Sequence, residues 1–145
     1  MLKPLKSRTR RLLIVDDEPT IRYLLAHFLS QHYEVEVVAS TDAALTLAAE
    51  QSFDVFLLDI NLREEMTGFG LLQALRKRPE HEHTPAVACT ACVNPYNLDK
   101  YHKGGFDGCV SKPFTRSSLS DMLTAVLHQP ALFHDMSMTP HTLAA

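Results

Sequence analysis

The residues with chemistry to offer are few and lie far apart. Asp16 and Asp17 follow one short apolar run, Asp59 follows another, Thr90 follows a third, and Lys112 stands near the C-terminal end. Three carboxylates brought together repel one another and cannot all ionise comfortably. A divalent cation resolves that repulsion. Oxygen donors without cysteine or histidine select a hard ion, Mg²⁺ or Mn²⁺. Lys112 is a point charge suited to a phosphoryl oxygen, and the Thr90 hydroxyl suits another. Positioning and charge neutralisation are what phosphoryl transfer needs. A carboxylate can be its nucleophile, forming an aspartyl phosphate. Asp59 is placed for that role, which leaves Asp16 and Asp17 to hold the metal.

Taken singly, each residue has a plainer reading. Asp59 would begin a polar loop, and Asp16 and Asp17 would cap a helix. Thr90 would end a strand, and Lys112 would lie along the surface. The chemistry therefore depends on whether the chain gathers them.

The elements say that it does. Leu12–Val15, Glu34–Val38, Asp54–Leu58, Ala86–Cys89 and Gly108–Ser111 read as short strands; Leu12–Val15, Val55–Leu58 and Ala86–Cys89 are continuously apolar, and Glu34–Val38 alternates. Helical spacing separates them. Pro19 opens a helix with Ile21, Leu24, Leu25, Phe28 and Leu29, after a cap at Asp17 or Glu18. Ser40 or Thr41 caps a second helix carrying Ala43, Ala44, Leu45, Leu47 and Ala48. Gly68 and Phe69 lead into a third with Leu71, Leu72 and Leu75. Residues 76–84 are charged, contain Pro79 and read as a surface connection. A weak helix over 96–103 stops at Gly104-Gly105. Thr115 caps a last helix bearing Leu119, Met122, Leu123, Val126 and Leu127. Five βα units imply an α/β fold with a parallel sheet covered on both faces. Every strand then ends at the same edge, the edge where ligands bind in such folds. Asp16, Asp17, Asp59, Thr90 and Lys112 arrive there together.

Composition bounds the rest. The chain has 145 residues, 46% of them hydrophobic, which suits one domain with a single core. A net charge of −3 and a pI of about 6.2 argue against nucleic-acid binding by the domain as a whole. Lys3, Lys6, Arg8, Arg10 and Arg11 make a basic start that reads as a solvated tail. No membrane span or signal-peptide pattern is present, so a cytoplasmic location is expected. Cys89-Thr-Ala-Cys92 is formally a CxxC, but small buried thiols are its plainer meaning. The organisation expected is a basic N-terminal tail at 1–10, the domain at 11–128 and a C-terminal tail at 129–145. That last stretch has no clear period and is left open between a free end and a docked one.

The set Asp16-Asp17, Asp59, Thr90-Ala91 and Lys112-Pro113-Phe114 resembles the receiver domain of two-component response regulators, over about residues 11 to 128. The resemblance implies a flavodoxin-like, three-layer fold: a five-stranded sheet in the order 2-1-3-4-5, with helices 1 and 5 on one face and 2, 3 and 4 on the other. It implies that Asp59 is the phosphoacceptor, taking a phosphoryl group from a sensor histidine kinase or a histidine phosphotransfer protein. Asp17 and Asp59 would bind Mg²⁺, with Asp16 acting directly or through water and Asn61 lending its backbone carbonyl. Lys112 would contact the phosphoryl group, and Lys112-Pro113 would be a cis peptide. Thr90 would swing toward the phosphoryl oxygen. Output would be a protein partner bound on helix 4, strand 5 and helix 5, without direct contact to nucleic acid or membrane, and with dimerisation left open. Such a chain is not an enzyme beyond its own phosphorylation and dephosphorylation.

Three departures stand out. Cys109, three residues before Lys112, occupies the switch position where the family carries Tyr or Phe, and a thiol cannot fill an aromatic pocket. The loop from Ile60 to Thr67 reads one residue longer than the common form and holds Arg63, Glu64 and Glu65. Only a short tail follows the last helix. Two other function classes are therefore weighed: a non-phosphorylated interaction module, and a phosphate-cleaving enzyme with an aspartyl intermediate. The latter commonly carries a second acid two residues after the nucleophile, where this chain has Asn61.

Overall fold

Short apolar runs with no polar alternation must be buried on both faces, and a parallel sheet between helices does that. The computed structural model describes residues 9–63, 65–91, 95–129 and 133–135. Lys3, Lys6, Arg8, Glu64, Cys92, Pro130, Met136, Met138 and Pro140 lie outside them. The elements run β1 (Arg10–Val15), α1 (Pro19–Leu29), β2 (Tyr33–Val38), α2 (Thr41–Glu50), β3 (Val55–Asp59) and α3 (Gly68–Arg76). They continue with β4 (Ala86–Thr90), α4 (Pro95–Lys103), β5 (Gly108–Ser111), α5 (Arg116–His128) and β6 (His134–Asp135). The sheet order is β2-β1-β3-β4-β5-β6, parallel throughout. Its first five strands follow the expected 2-1-3-4-5. The sixth comes from the stretch past residue 128, which docks at least at His134–Asp135. β1 starts at Arg10, so the basic start is strand by that point.

Two apolar layers sandwich the sheet. Leu25 and Leu29 of α1 and Leu119, Met122, Leu123 and Val126 of α5 pack on Leu12, Ile14, Val55, Leu57 and Val87. Ala44 and Ala48 of α2, Leu71, Leu72 and Leu75 of α3 and Tyr101 of α4 cover Leu13, Val15, Phe56, Leu58 and Ala88. Each large side chain so buried contributes about 1.5–3 kcal/mol.

Local chemistry starts and stops the helices. Ser40 Oγ accepts the Ala43 N–H at 3.2 Å, and Thr67 Oγ1 accepts the Gly70 N–H at 3.4 Å. Thr115 and Ser118 make a reciprocal capping box on α5. Glu18 precedes Pro19 at the start of α1 but makes no side-chain cap. Gly105, at φ +102°, turns the chain out of α4, and the Phe106 N–H closes back on the Tyr101 carbonyl at 3.1 Å.

The stretch at 76–84 is a correction. It is not simply a surface connection. Pro79–His81 forms a 3₁₀ turn, and His81 is fully buried against Phe53 and Phe56. Its Nε2 accepts the Phe53 N–H at 3.0 Å. Arg76 spans the lower edge of the sheet, donating to the carbonyls of Gly105 (2.6 Å) and Thr84 (2.8 Å) and to Asp107 Oδ2 (3.1 Å). Arg76 thus spends its charge on buried backbone and on Asp107, while Arg78 and Glu80 pair at the surface.

Candidate functional site

Asp59 is the last residue of β3, and β1 ends beside it at Val15, paired with Leu58. The two residues that follow β1 therefore reach the same edge. Asp16, Asp17 and Asp59 each present a carboxylate oxygen, and these oxygens lie within 4.8 Å of one another. Asp16 and Asp59 are buried, at 1% and 4% exposure, while Asp17 faces the opening. Lys112 joins them from the end of β5, its Nζ 3.0 Å from Asp16 Oδ2 and 3.6 Å from Asp59 Oδ2. These two lysine contacts reach across 96 and 53 positions of chain.

Backbone groups hold the acids in place. The Glu18 N–H donates to Asp16 Oδ1 at 2.9 Å and the Asn61 N–H to Asp59 Oδ1 at 3.1 Å. Asp16 thus serves the turn into α1 with one oxygen and Lys112 with the other. Gly68 lets α3 begin against β3: its N–H donates to the Ile60 carbonyl at 3.1 Å, and a Cβ there would collide with the Asp59 carbonyl oxygen. Thr90 ends β4 fully buried, and its carbonyl accepts the Lys112 N–H at 2.8 Å. The Lys112-Pro113 bond is cis. Phe114 packs edge-on to Phe28 of α1, with centroids 6.3 Å apart. Cys109 lies apart, within β5, buried in the layer beneath α2, α3 and α4.

The charges are strained in a directed way. Burial pushes the Asp59 carboxyl up; the Lys112 charge pulls it down, Asp16 pushes it up again, the Asn61 N–H pulls it down, and Asp17 adds to the rise. The net shift is upward. Burial alone would lower Lys112, but its bond to Asp16 and the surrounding negative charge outweigh this and raise it. Burial drives the Cys89 thiol up to about 12. It is a poor thiolate.

Sequence reasoning missed two arginines. Arg22 donates to the Asp16 carbonyl at 2.8 Å. Arg63 places its N–H 3.0 Å and its Nε 3.8 Å from Asp17 Oδ2. The longer loop after β3 was the signal for Arg63; nothing short of the fold pointed to Arg22.

The family model described as "Response regulator receiver domain" matches residues 12–124. The chain belongs to the response regulator receiver domain family. Solved receiver domains resemble it closely. The chemotaxis response regulator CheY4 of Vibrio cholerae is 33% identical, with a TM-score of 0.76, over 81% of this chain and 98% of that one. The receiver domain of a sensor histidine kinase from Pseudomonas aeruginosa is 25% identical, with a TM-score of 0.73, over 82% and 98%. That structure has a magnesium ion coordinated in its active site cleft. Among curated proteins, the transcriptional regulatory protein SrrA of Staphylococcus aureus is 32% identical over 83% of this chain and 49% of its own length. A probable cyclic di-GMP phosphodiesterase of Vibrio cholerae is 33% identical over 58% of this chain and 19% of its own length. The receiver domain here thus spans about half or less of these two relatives. No helix among its described residues is long and apolar enough to cross a membrane.

Proposed function

We propose that this receiver domain, residues 11–128, is a cytoplasmic phosphoacceptor switch. Asp59 takes a phosphoryl group from a phosphohistidine on a sensor kinase or phosphotransfer protein, in a Mg²⁺-dependent reaction. The observation that carries this reading is one cleft holding three clustered carboxylates with Lys112 Nζ 3.0 and 3.6 Å from two of them. The donor set is all oxygen, and its excess negative charge suits a hard divalent cation. Asp16, Asp17, Asp59 and the Asn61 carbonyl would hold it. Such a cation would supply positive charge to offset the carboxylates and the phosphoryl oxygens.

The chain's own residues supply the rest. Asp59 attacks phosphorus with a carboxylate oxygen, the bond from phosphorus to the donor's nitrogen breaks, and an aspartyl phosphate forms. The Asn61 N–H holds Asp59 Oδ1 and so orients the nucleophile. Lys112 exchanges its contact with Asp59 for the phosphoryl oxygens, and the Thr90 hydroxyl meets another. Output passes to a protein partner on α4, β5 and α5. Cys109, where a ring would ordinarily move, leaves that step to other residues. The chemistry proposed for it is the domain's own phosphorylation and dephosphorylation.

Incubation with Mg²⁺ and a small acyl phosphate tests this. Intact mass should rise by one phosphoryl group in the wild type and not in Asp59→Asn. A wild type that stays unmodified with this donor and with a competent kinase sinks the reading and leaves an interaction module. Asp59-dependent turnover of an external phosphoester would favour the hydrolase instead.

A further inference from the structure

We propose that residues 133–135 are an intramolecular cover for the outer edge of β5, seated on the face between α4 and α5 and displaced when a protein partner binds there. The partner's use of this face rests on the proposed function; the cover itself rests on four observations.

First, β6 pairs in parallel with β5, His134 beside Gly108 and the Asp135 backbone beside Cys109. Without it β5 would end the sheet with unpaired backbone groups, a template for any extended segment. The His134 N–H donates to the Asp107 carbonyl at 2.8 Å. Second, His134 Nε2 lies 2.9 Å from the Gln129 carbonyl, which clips the strand to the end of α5. Third, Gly108 makes room for it. A Cβ at 108 would stand 2.9 Å from the His134 carbonyl oxygen and 2.5 Å from Met122 Sδ. Fourth, the Phe133 ring lies 5.0 Å from the His102 ring of α4 and packs against the apolar layer that includes Cys109. Strand alternation puts Phe133 on the same face as Cys109. The cover thus brings an aromatic ring to a layer whose β5 residue is a thiol.

The seat is also small. Among the described residues, two ladder residues, the His134–Gln129 contact and one half-buried ring hold it, and its closeness in sequence to α5 keeps it at high effective concentration. A partner with more contacts can replace it, and by reciprocity the docked cover weakens that partner's binding.

Hydrogen exchange and thiol labelling on the full chain test this with two variants. Phe133→Ala removes the ring, and His134→Pro removes the N–H donated to Asp107. Both should speed exchange in the peptide covering 107–111 at least tenfold while leaving β1 and β3 protected. Iodoacetamide labelling of Cys109, mapped by mass, should rise at least tenfold, with Cys89 unlabelled. Unchanged exchange and labelling in both variants overturns the cover. So does loss of protection across the whole sheet in both, because a displaceable segment cannot be required by the core. If one variant alone loses β1 and β3, the other decides by the same readouts. Neither readout needs a phosphoryl group. A wild type that takes up no phosphate therefore refutes the proposed switch and not the cover.

Discussion

Asp59 carries the tension of the site in one side chain. Its folded carboxyl titrates above the ordinary 3.8 because burial, Asp16 and Asp17 together outweigh Lys112 and the Asn61 N–H. A group raised in the folded state stabilises the fold while protonated and loses that contribution as pH rises through its shifted value. At neutral pH the ionised Asp59 therefore weighs against folding. Replacing it with Asn keeps the shape and removes the charge. Asp59→Asn should raise the melting temperature in chelator by roughly 4 °C, on the order of 1 kcal/mol, as read by thermal unfolding. A lower melting temperature would mean that the Lys112 contact, not the repulsion, dominates. The acids were legible in the sequence because an acid closing a buried run is chemically conspicuous. The Lys112–Asp16 contact was legible only as shared membership of an edge. Its 3.0 Å length depends on side-chain geometry that no spacing encodes.

The elements are held together at the opposite edge, and there the sequence reading fell short. Arg76 ends α3 and ties the residue before β5 to the approach to β4. Asp107, raised by burial, is held back by the Ala86 N–H and Arg76. Breaking a fully buried pair costs about 3–5 kcal/mol; with both partners about one-fifth exposed, Arg76→Ala should cost about 2 kcal/mol in urea unfolding. His81 gives the same region a pH dependence. Burial lowers it from 6.5, with Glu80 opposing and Arg78 adding to the fall. Its contribution is complete above about 6.5 and is lost as pH falls from there through the lowered folded value. Urea midpoints measured between pH 7.5 and 5 should decline, and His81→Gln should flatten that decline at some cost in stability. A run of Arg, Lys, Glu and His reads as solvent because composition records charge, not where its hydrogen bonds end. The strands and capped helices were clear because burial and capping each leave a periodic or positional mark. β6 leaves none, since two residues are too few for a period.

At the scale of the whole molecule, a cation bound in the acid cleft would stabilise the entire sheet. A cation that binds only the folded state stabilises it by about 2.7 kcal/mol at one hundred times its dissociation constant. Mg²⁺ should therefore raise the wild-type melting temperature in a saturable way, and Asp17→Asn should remove most of the rise. An equal rise in that variant would place the cation elsewhere. What the sequence determined by itself was the succession of five βα units and, through it, the gathering of Asp16, Asp17, Asp59, Thr90 and Lys112. Right-handed parallel crossovers leave no freedom about which strand ends share an edge. What only the tertiary structure decided were contacts made by partners without pattern: Arg22 and Arg63 on the acids, His81 under Phe53, and Phe133 to Asp135 on β5. Periodicity reports which face of an element is buried. It is silent about single residues whose partners are backbone groups brought near by the fold.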